Sequence, residues 1–163
     1  MNNRILVALF AGTVLASCGS SKKVANDLAT SLPIETAIHL DKVVEDKAPV
    51  TINPGRFIIE TVTYRLPKVV QGTYSVSNFG SYIDDFKAFD YSGNEMAVTK
   101  ADDNSWTIAN ATQLDKITYL VNDTFDVEKV GGIGKETPFS PSGTNIEANN
   151  YVLNLHGFIG DFD

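Results

Sequence analysis

Phe57-Ile58-Ile59-Glu60-Thr61-Val62-Thr63-Tyr64-Arg65-Leu66 is the stretch that decides the fold class. It is filled with β-branched and aromatic side chains, which suit a pleated sheet surface. Both faces of the run carry apolar groups, the pattern of a central strand in a sandwich. Outward from it the chain keeps a period of two. In Leu114 to Asp123, Ile117, Tyr119 and Val121 share one face, while Lys116, Thr118 and Asn122 share the other. Phe86 and Ala88 alternate with Lys87 and Phe89, Trp106 and Ile108 with Ser105 and Thr107, and Tyr151, Leu153 and Leu155 with Val152 and Asn154.

Turn chemistry separates these runs. In Asn53-Pro54-Gly55 proline presets φ and glycine is free to take φ > 0. Tyr91-Ser92-Gly93-Asn94 reads as a hairpin loop between Phe86–Asp90 and Glu95–Thr99, and Asp102-Asp103-Asn104 as another turn. Val130 to Gly143 holds Gly131, Gly132, Gly134, Gly143, Pro138 and Pro141, and reads as a long mobile loop between strands. No stretch offers a convincing long helix; Lys22 to Leu28 is the best candidate. The pattern predicts an all-β, antiparallel β-sandwich-like domain over 32–163.

The chain has 163 residues, 43% of them apolar and 20% charged, enough apolar content for a core and too little charge for a disordered chain. Thirteen basic against twenty acidic residues give a net charge of -7, which argues against a general nucleic-acid binder. A single cysteine excludes a disulfide framework and a cysteine zinc cluster, and two histidines leave little room for a metalloenzyme site.

The N-terminus is read as targeting, outside the fold. Residues 1–17 form a secretory signal: Asn2, Asn3 and Arg4, then an uncharged stretch from Ile5 to Val14. That stretch is far shorter than the ~20 residues of a spanning helix. Leu15-Ala16-Ser17-Cys18 resembles a bacterial lipobox, which makes Cys18 the lipidated N-terminus of the mature chain and 18–31 its tether. Several acyl chains together give stable membrane anchoring, because each buried methylene contributes about 0.8 kcal/mol. The competing reading of Cys18 is an ordinary thiol. Gly19 follows it in place of the aspartate that retains many enterobacterial lipoproteins in the inner membrane, so periplasmic and surface-facing placements both stay open.

Motifs for chemistry fail one by one. Gly131-Gly132-Ile133-Gly134-Lys135-Glu136 lacks the first glycine and the Ser/Thr of a phosphate loop. His39 and His156 stand outside any H-E-x-x-H frame; the first reads as a half-exposed strand residue, the second as a packing or interdomain residue. No Gly-x-Ser-x-Gly is present. Asp84-Asp85 and Asp102-Asp103 read as solvated surface acids, since strand neighbours point to opposite faces. Tyr74, Phe79, Tyr82, Trp106 and Phe139 are candidates for stacking on sugars, with core packing preferred for Trp106 and Phe86.

One segment is more specific. Leu66-Pro67-Lys68-Val69-Val70-Gln71-Gly72-Thr73-Tyr74-Ser75-Val76 resembles the Leu-Pro-x-x-x-Pro-Gly-x-Tyr-x-Ile segment of the glycyl aminopeptidases, thermolysin-like zinc peptidases whose chain begins with an all-β domain. The family's following features have counterparts in Ile83–Asp90, Ser92-Gly93-Asn94, Asn104–Ile108, Ile117–Val121 and Asn154–Gly160. The resemblance covers roughly Leu32 to Asp163, with Gln71 in place of the second proline.

It implies a domain that packs beside the catalytic domain and helps shape the substrate cleft. By resemblance Pro67, Gly72 and Tyr74 belong to that surface. The conformational reading of the same residues has Pro67 ending a strand, Gly72 making a tight turn and Tyr74 packing. The H-E-x-x-H helix would lie beyond residue 163. Hence no catalytic, cofactor or metal residue is assigned here, and zinc is expected only in the catalytic domain.

The expectation is a lipid-anchored, non-catalytic N-terminal domain of a glycyl aminopeptidase-like protein in the bacterial cell envelope, truncated before its catalytic domain. Its expected partners are the membrane, through Cys18, and that catalytic domain, on which Phe158, Ile159 and Phe162 would dock. The alternative is a stand-alone envelope lipoprotein that binds a peptide or glycan. An enzyme of another kind is the weakest reading.

Overall fold

The computed structural model describes residues 33–72, 76–124, 143–147 and 149–163. The signal segment, Cys18, the Lys22–Leu28 helix candidate, Tyr74 and nearly all of the Val130–Gly143 loop lie outside the described residues.

Eleven strands are described, joined by short 3-10 turns, and no α-helix occurs among the described residues. They are β1 (Glu35–Ile38), β2 (Lys47–Asn53), β3 (Thr61–Arg65), β4 (Ile83–Asp90), β5 (Glu95–Met96), β6 (Val98–Asp102), β7 (Ser105–Ala109), β8 (Leu114–Asn122), β9 (Asn145–Glu147), β10 (Asn150–Val152) and β11 (Asp161–Phe162). One sheet runs β1-β2-β8-β4-β5, a second β11-β3-β7-β6, and β9 and β10 form a separate ribbon. Every pairing is antiparallel. The architecture is the all-β sandwich that the alternation predicts.

The core forms where the inward faces meet. Ala48, Val50 and Ile52 of β2 alternate inward, as do Ile117, Tyr119 and Val121 of β8. Val62 and Tyr64 of β3, with Trp106 and Ile108 of β7, close the other side. Each large apolar side chain buried here stabilises the fold by roughly 1.5–3 kcal/mol before entropy is counted. The half-buried Phe86 ring lies nearly parallel to Trp106, with centroids 4.6 Å apart and planes at 5°. Both therefore pack, as their alternation suggests.

The Tyr91-Ser92-Gly93-Asn94 loop is a hairpin in which the Asp90 carboxylate accepts from the backbone of Ser92 and Asn94 at 2.8 and 2.9 Å. The strand after it does not stay in one sheet. β5 pairs with β4, while β6 pairs with β7 in the opposite sheet, so the run Glu95–Thr99 changes sheets at Ala97.

Four sequence expectations need correction. Phe57–Leu66 is not a strand buried on both faces. The strand covers only Thr61–Arg65, Phe57 anchors in the core, and Ile58 and Ile59 are 61% and 50% exposed. The cause is the crossing from β2, which turns at Gly55 (φ 82°) and bends through Ile58–Glu60 before β3 begins.

The Tyr151–Leu155 alternation also fails. β10 is exposed throughout and Leu155 enters a 3-10 turn, because the β9–β10 ribbon belongs to neither main sheet.

Phe158 and Phe162 do not present a sticky terminus. Phe158 is fully buried, and Phe162 packs 5.3 Å from Phe57 and 4.9 Å from Tyr64, because β11 pairs with β3 and folds the end back onto the core. Only Ile159 of that trio is exposed.

Finally, Asp84 and Asp85 do not follow simple alternation. A β-bulge separates Asp84 from Lys87, and Asp85 adopts φ 50°. Both acids are solvent-exposed, as expected, and each is ion-paired at 2.8 Å, Asp84 with Lys47 and Asp85 with Lys87.

Candidate functional site

The segment after β3 carries the family-like residues. Leu66 is buried, and its N–H donates to the carbonyl of Asn104 at 2.9 Å. The half-buried Pro67 follows and ends the strand, having no N–H to continue a ladder. The chain then reverses through Gly72, whose φ of 88° lies in the left-handed region that favours glycine. Further along, Ser77 N–H and Asn78 N–H both donate to the Lys68 carbonyl, at 2.9 and 3.0 Å. Phe79 is then driven into the core.

Asn104 ties this segment to the β6–β7 turn. Its side-chain oxygen accepts from Gly80 N–H at 3.0 Å, and its amide donates to the Asn78 side chain at 3.2 Å. Gly80 is required here, since a Cβ would collide with the backbone of Asp103. Around these contacts lies a cleft of about 410 Å³, lined by Arg65, Lys68, Asn78, Asp102 and Ser105 among others.

The charges in the cleft are largely spoken for. Arg65 Nε pairs with the Asp163 carboxylate at 2.8 Å, and its Nη1 donates to Ser105 Oγ at 3.1 Å. The Asn104 backbone N–H, and then the Ser105 side chain, hold the Asp102 carboxyl below its ordinary pKa. Such a cleft can seat a polar group.

The sequence candidates distribute as follows. Pro67 lines a second, shallower groove with Leu66, Ile159 and Gly160. Gly72 is exposed, with open space around it, so its geometry fits the turn-forming reading. Tyr74 and Cys18 lie outside the described residues, as does Phe139. Phe79 and Trp106 are buried and Tyr82 is half-buried, so no open stacking platform is built from them.

His39 is half-buried one residue past β1, its Nε2 3.1 Å from Thr51 Oγ1. His156 is exposed, its ring stacked 6.0 Å from Phe79 and its Nδ1 3.1 Å from Asn154 Oδ1. Among the described residues no three His, Cys, Asp or Glu side chains converge as a metal-binding set. These donors do not suit zinc. No described helix is long and apolar enough to cross a membrane.

Sequence reasoning missed the two structural hubs. Asn104 was legible only as a turn residue. The pairing of Tyr64 with Tyr119 left no signal beyond two inward-facing aromatics.

Residues 35–163 match the family model described as the peptidase M61 N-terminal domain, which spans the fold from β1 to the last residue. No curated protein matches the chain. Among solved structures, the crystal structure of an aminopeptidase N family protein from Idiomarina loihiensis is similar, with a TM-score of 0.50 at 19% identity over 56% of this chain. The likeness covers only 15% of that longer chain and shows the fold alone. Architecture and family match agree, and the chain belongs to the peptidase M61 N-terminal domain family.

Proposed function

We propose that this chain is the non-catalytic N-terminal domain of a glycyl aminopeptidase-like metallopeptidase, held at the envelope membrane by lipidated Cys18. The observation that carries the reading is the family match from β1 through β11. The chemistry of the described residues is in keeping with it: the cleft around Asn104 is lined by engaged charges and amides, and the histidines are held apart in separate bonds. In this reading the zinc and its H-E-x-x-H ligands belong to the catalytic region, which the β domain flanks.

The test uses the full chain and a separately purified catalytic region of a family member. A saturable complex supports the proposal, and no complex at high micromolar concentration sinks it. Lipidation is read independently by metabolic labelling with an alkyne fatty acid: label on the wild-type chain and none on Cys18→Ala is the expected pattern. The stand-alone reading, an envelope module gripping a glycan, is weakened by the burial of Phe79 and Trp106.

A further inference from the structure

The outward face of the five-stranded sheet holds a trough. Pro49 and Thr51 of β2, and Thr118 and Leu120 of β8, point away from the core, because the residues alternating with them are buried. The ladder sets Pro49 beside Leu120 and Thr51 beside Thr118. His39 extends the first of these rows, its N–H donating to the Pro49 carbonyl at 2.9 Å. Together they floor a cavity of about 290 Å³, with Lys42 at the His39 rim and Asp85 at the β4 rim. That volume suits a small molecule.

Asp85 reaches this trough only because β4 bulges. Regular alternation from the buried Ile83 would turn Asp85 into the core. Between the pairs Asp84–Leu120 and Lys87–Thr118, however, β4 inserts two residues where β8 inserts one. Asp85 takes up the extra residue at φ 50°, and Phe86 takes the inward place against Trp106. Bulges re-aim side chains, and such backbone outliers gather at ligand sites.

The charges of the trough are unequally engaged. The Asp85 carboxylate pairs with Lys87 at 2.8 Å. Lys42 has no ion pair among the described residues. His39 Nε2 lies 3.1 Å from Thr51 Oγ1, and its Nδ1 has no partner among the described residues. With Thr51 donating to Nε2, Nδ1 carries the proton and is a donor. One free ammonium and one N–H at the same rim match a single carboxylate. Pro49 and Leu120 offer apolar surface to the body behind it. A second negative group would lie on that surface unpaired, nearer Asp85.

We propose that this trough binds a carboxylate, its oxygens held by Lys42 and His39 Nδ1 and its aliphatic body resting on Pro49 and Leu120. Two sources share that chemistry, a short free acid and the C-terminus of a peptide. The rims stand three strand spacings apart, about 14 Å. An extended tripeptide spans about 10 Å. It would bring its ammonium toward Asp85, which a short acid does not.

The chain has two histidines, so imidazole NMR signals of the full chain at constant pH supply a reporter, His39, and an internal control, His156. The probes are butyrate, its neutral amide butyramide, and trialanine. Butyrate should shift His39 saturably, leave His156 in place, and bind at least tenfold more tightly than butyramide. Lys42 is exposed, so Lys42→Gln should keep the unfolding midpoint while weakening butyrate at least tenfold. Trialanine binding at least tenfold more tightly than butyrate, an advantage lost in Asp85→Asn, supports the peptide terminus; equal affinities support the short acid. Equal shifts of both histidines mean a general anion effect and overturn the site. Butyramide binding as tightly as butyrate, or full butyrate affinity in Lys42→Gln, overturns carboxylate recognition. No saturation with either butyrate or trialanine overturns the proposal outright.

Discussion

Tyr64 of β3 and Tyr119 of β8 meet hydroxyl to hydroxyl, 2.9 Å apart, each rising from a different sheet of the sandwich. The direction of the bond follows from the neighbours. Tyr119 donates its proton to the Phe158 carbonyl at 2.7 Å, so Tyr64 must donate to Tyr119. Tyr64 in turn accepts from Gly160 N–H at 2.8 Å. The two phenols therefore clasp the sheets to each other and both to the C-terminal segment that becomes β11.

The clasp predicts an alkaline limit to stability. Burial pushes the Tyr64 phenol up to about 12, partly offset by the hydrogen bond it accepts from Gly160 N–H, and burial pushes Tyr119 up as well. In the unfolded chain both titrate near their ordinary value of ~10. Above that pH the unfolded state holds fewer protons than the folded one, so stability falls as pH rises. The contribution is whole below pH ~10 and drains away toward the folded values. For Tyr64 alone the loss is about 2–3 kcal/mol by pH ~12. Urea midpoints measured from pH 8 to 12, with tyrosinate absorbance near 295 nm, should show a fall that steepens above pH 10 and phenolate appearing together with unfolding. A midpoint flat to pH 12 contradicts the clasp.

The same geometry predicts strong coupling between the two hydroxyls. Tyr119→Phe leaves the Phe158 carbonyl without its donor, and Tyr64→Phe leaves Gly160 N–H without its acceptor. Each should cost about 1–3 kcal/mol, the penalty for a buried polar group left unpaired. The double variant should cost less than the sum by about 0.5–2 kcal/mol, because either change already breaks the shared bond. A double-mutant cycle in urea measures this, and additive losses would count against a bonded pair.

Glycine positions separate close packing from backbone conformation. A Cβ at Gly160 would strike the Arg65 carbonyl and the Tyr64 ring, and one at Gly80 would strike the Asp103 backbone. Alanine at either site should destabilise by about 1–3 kcal/mol through overpacking. At Gly72 there is open space and only the φ of 88° to satisfy. Gly72→Ala should therefore cost about 1 kcal/mol and leave any complex with the catalytic region at full affinity. A Gly72→Ala chain that folds normally but no longer binds would instead place Gly72 in the contact surface.

The sandwich was legible because alternation in β7 and β8 is a direct image of one buried face, and because Tyr91-Ser92-Gly93-Asn94 makes a recognisable hairpin. What alternation cannot report is where a strand leaves its sheet. Phe57–Leu66 and Glu95–Thr99 each read as one strand, yet the first is a bent crossing followed by a short strand and the second changes sheets. Phe158 and Phe162 looked like docking residues because a terminus carries no pairing signal. Their burial depends on a register with β3 that lies nearly a hundred residues away in sequence. The Leu66–Gly72 segment was visible as a motif, but its anchoring through Asn104 and Gly80 is a tertiary contact between loops that are each locally ordinary.

Ser77 supplies the last prediction. It sits where the returning arm of that segment meets Lys68, and it is only 4% exposed. Its backbone N–H is satisfied by the Lys68 carbonyl, but its Oγ is buried without a hydrogen-bond partner among the described residues. Burying a hydroxyl unpaired costs roughly 1–3 kcal/mol relative to leaving it in water. Ser77→Ala removes the hydroxyl and keeps the backbone bond, so it should raise stability by about 1 kcal/mol, read as a higher urea midpoint at unchanged slope. Ser77→Val, which adds bulk at the same place, should lose that gain through overpacking. A destabilised Ser77→Ala chain would mean that the hydroxyl has found a partner in solution, such as a trapped water.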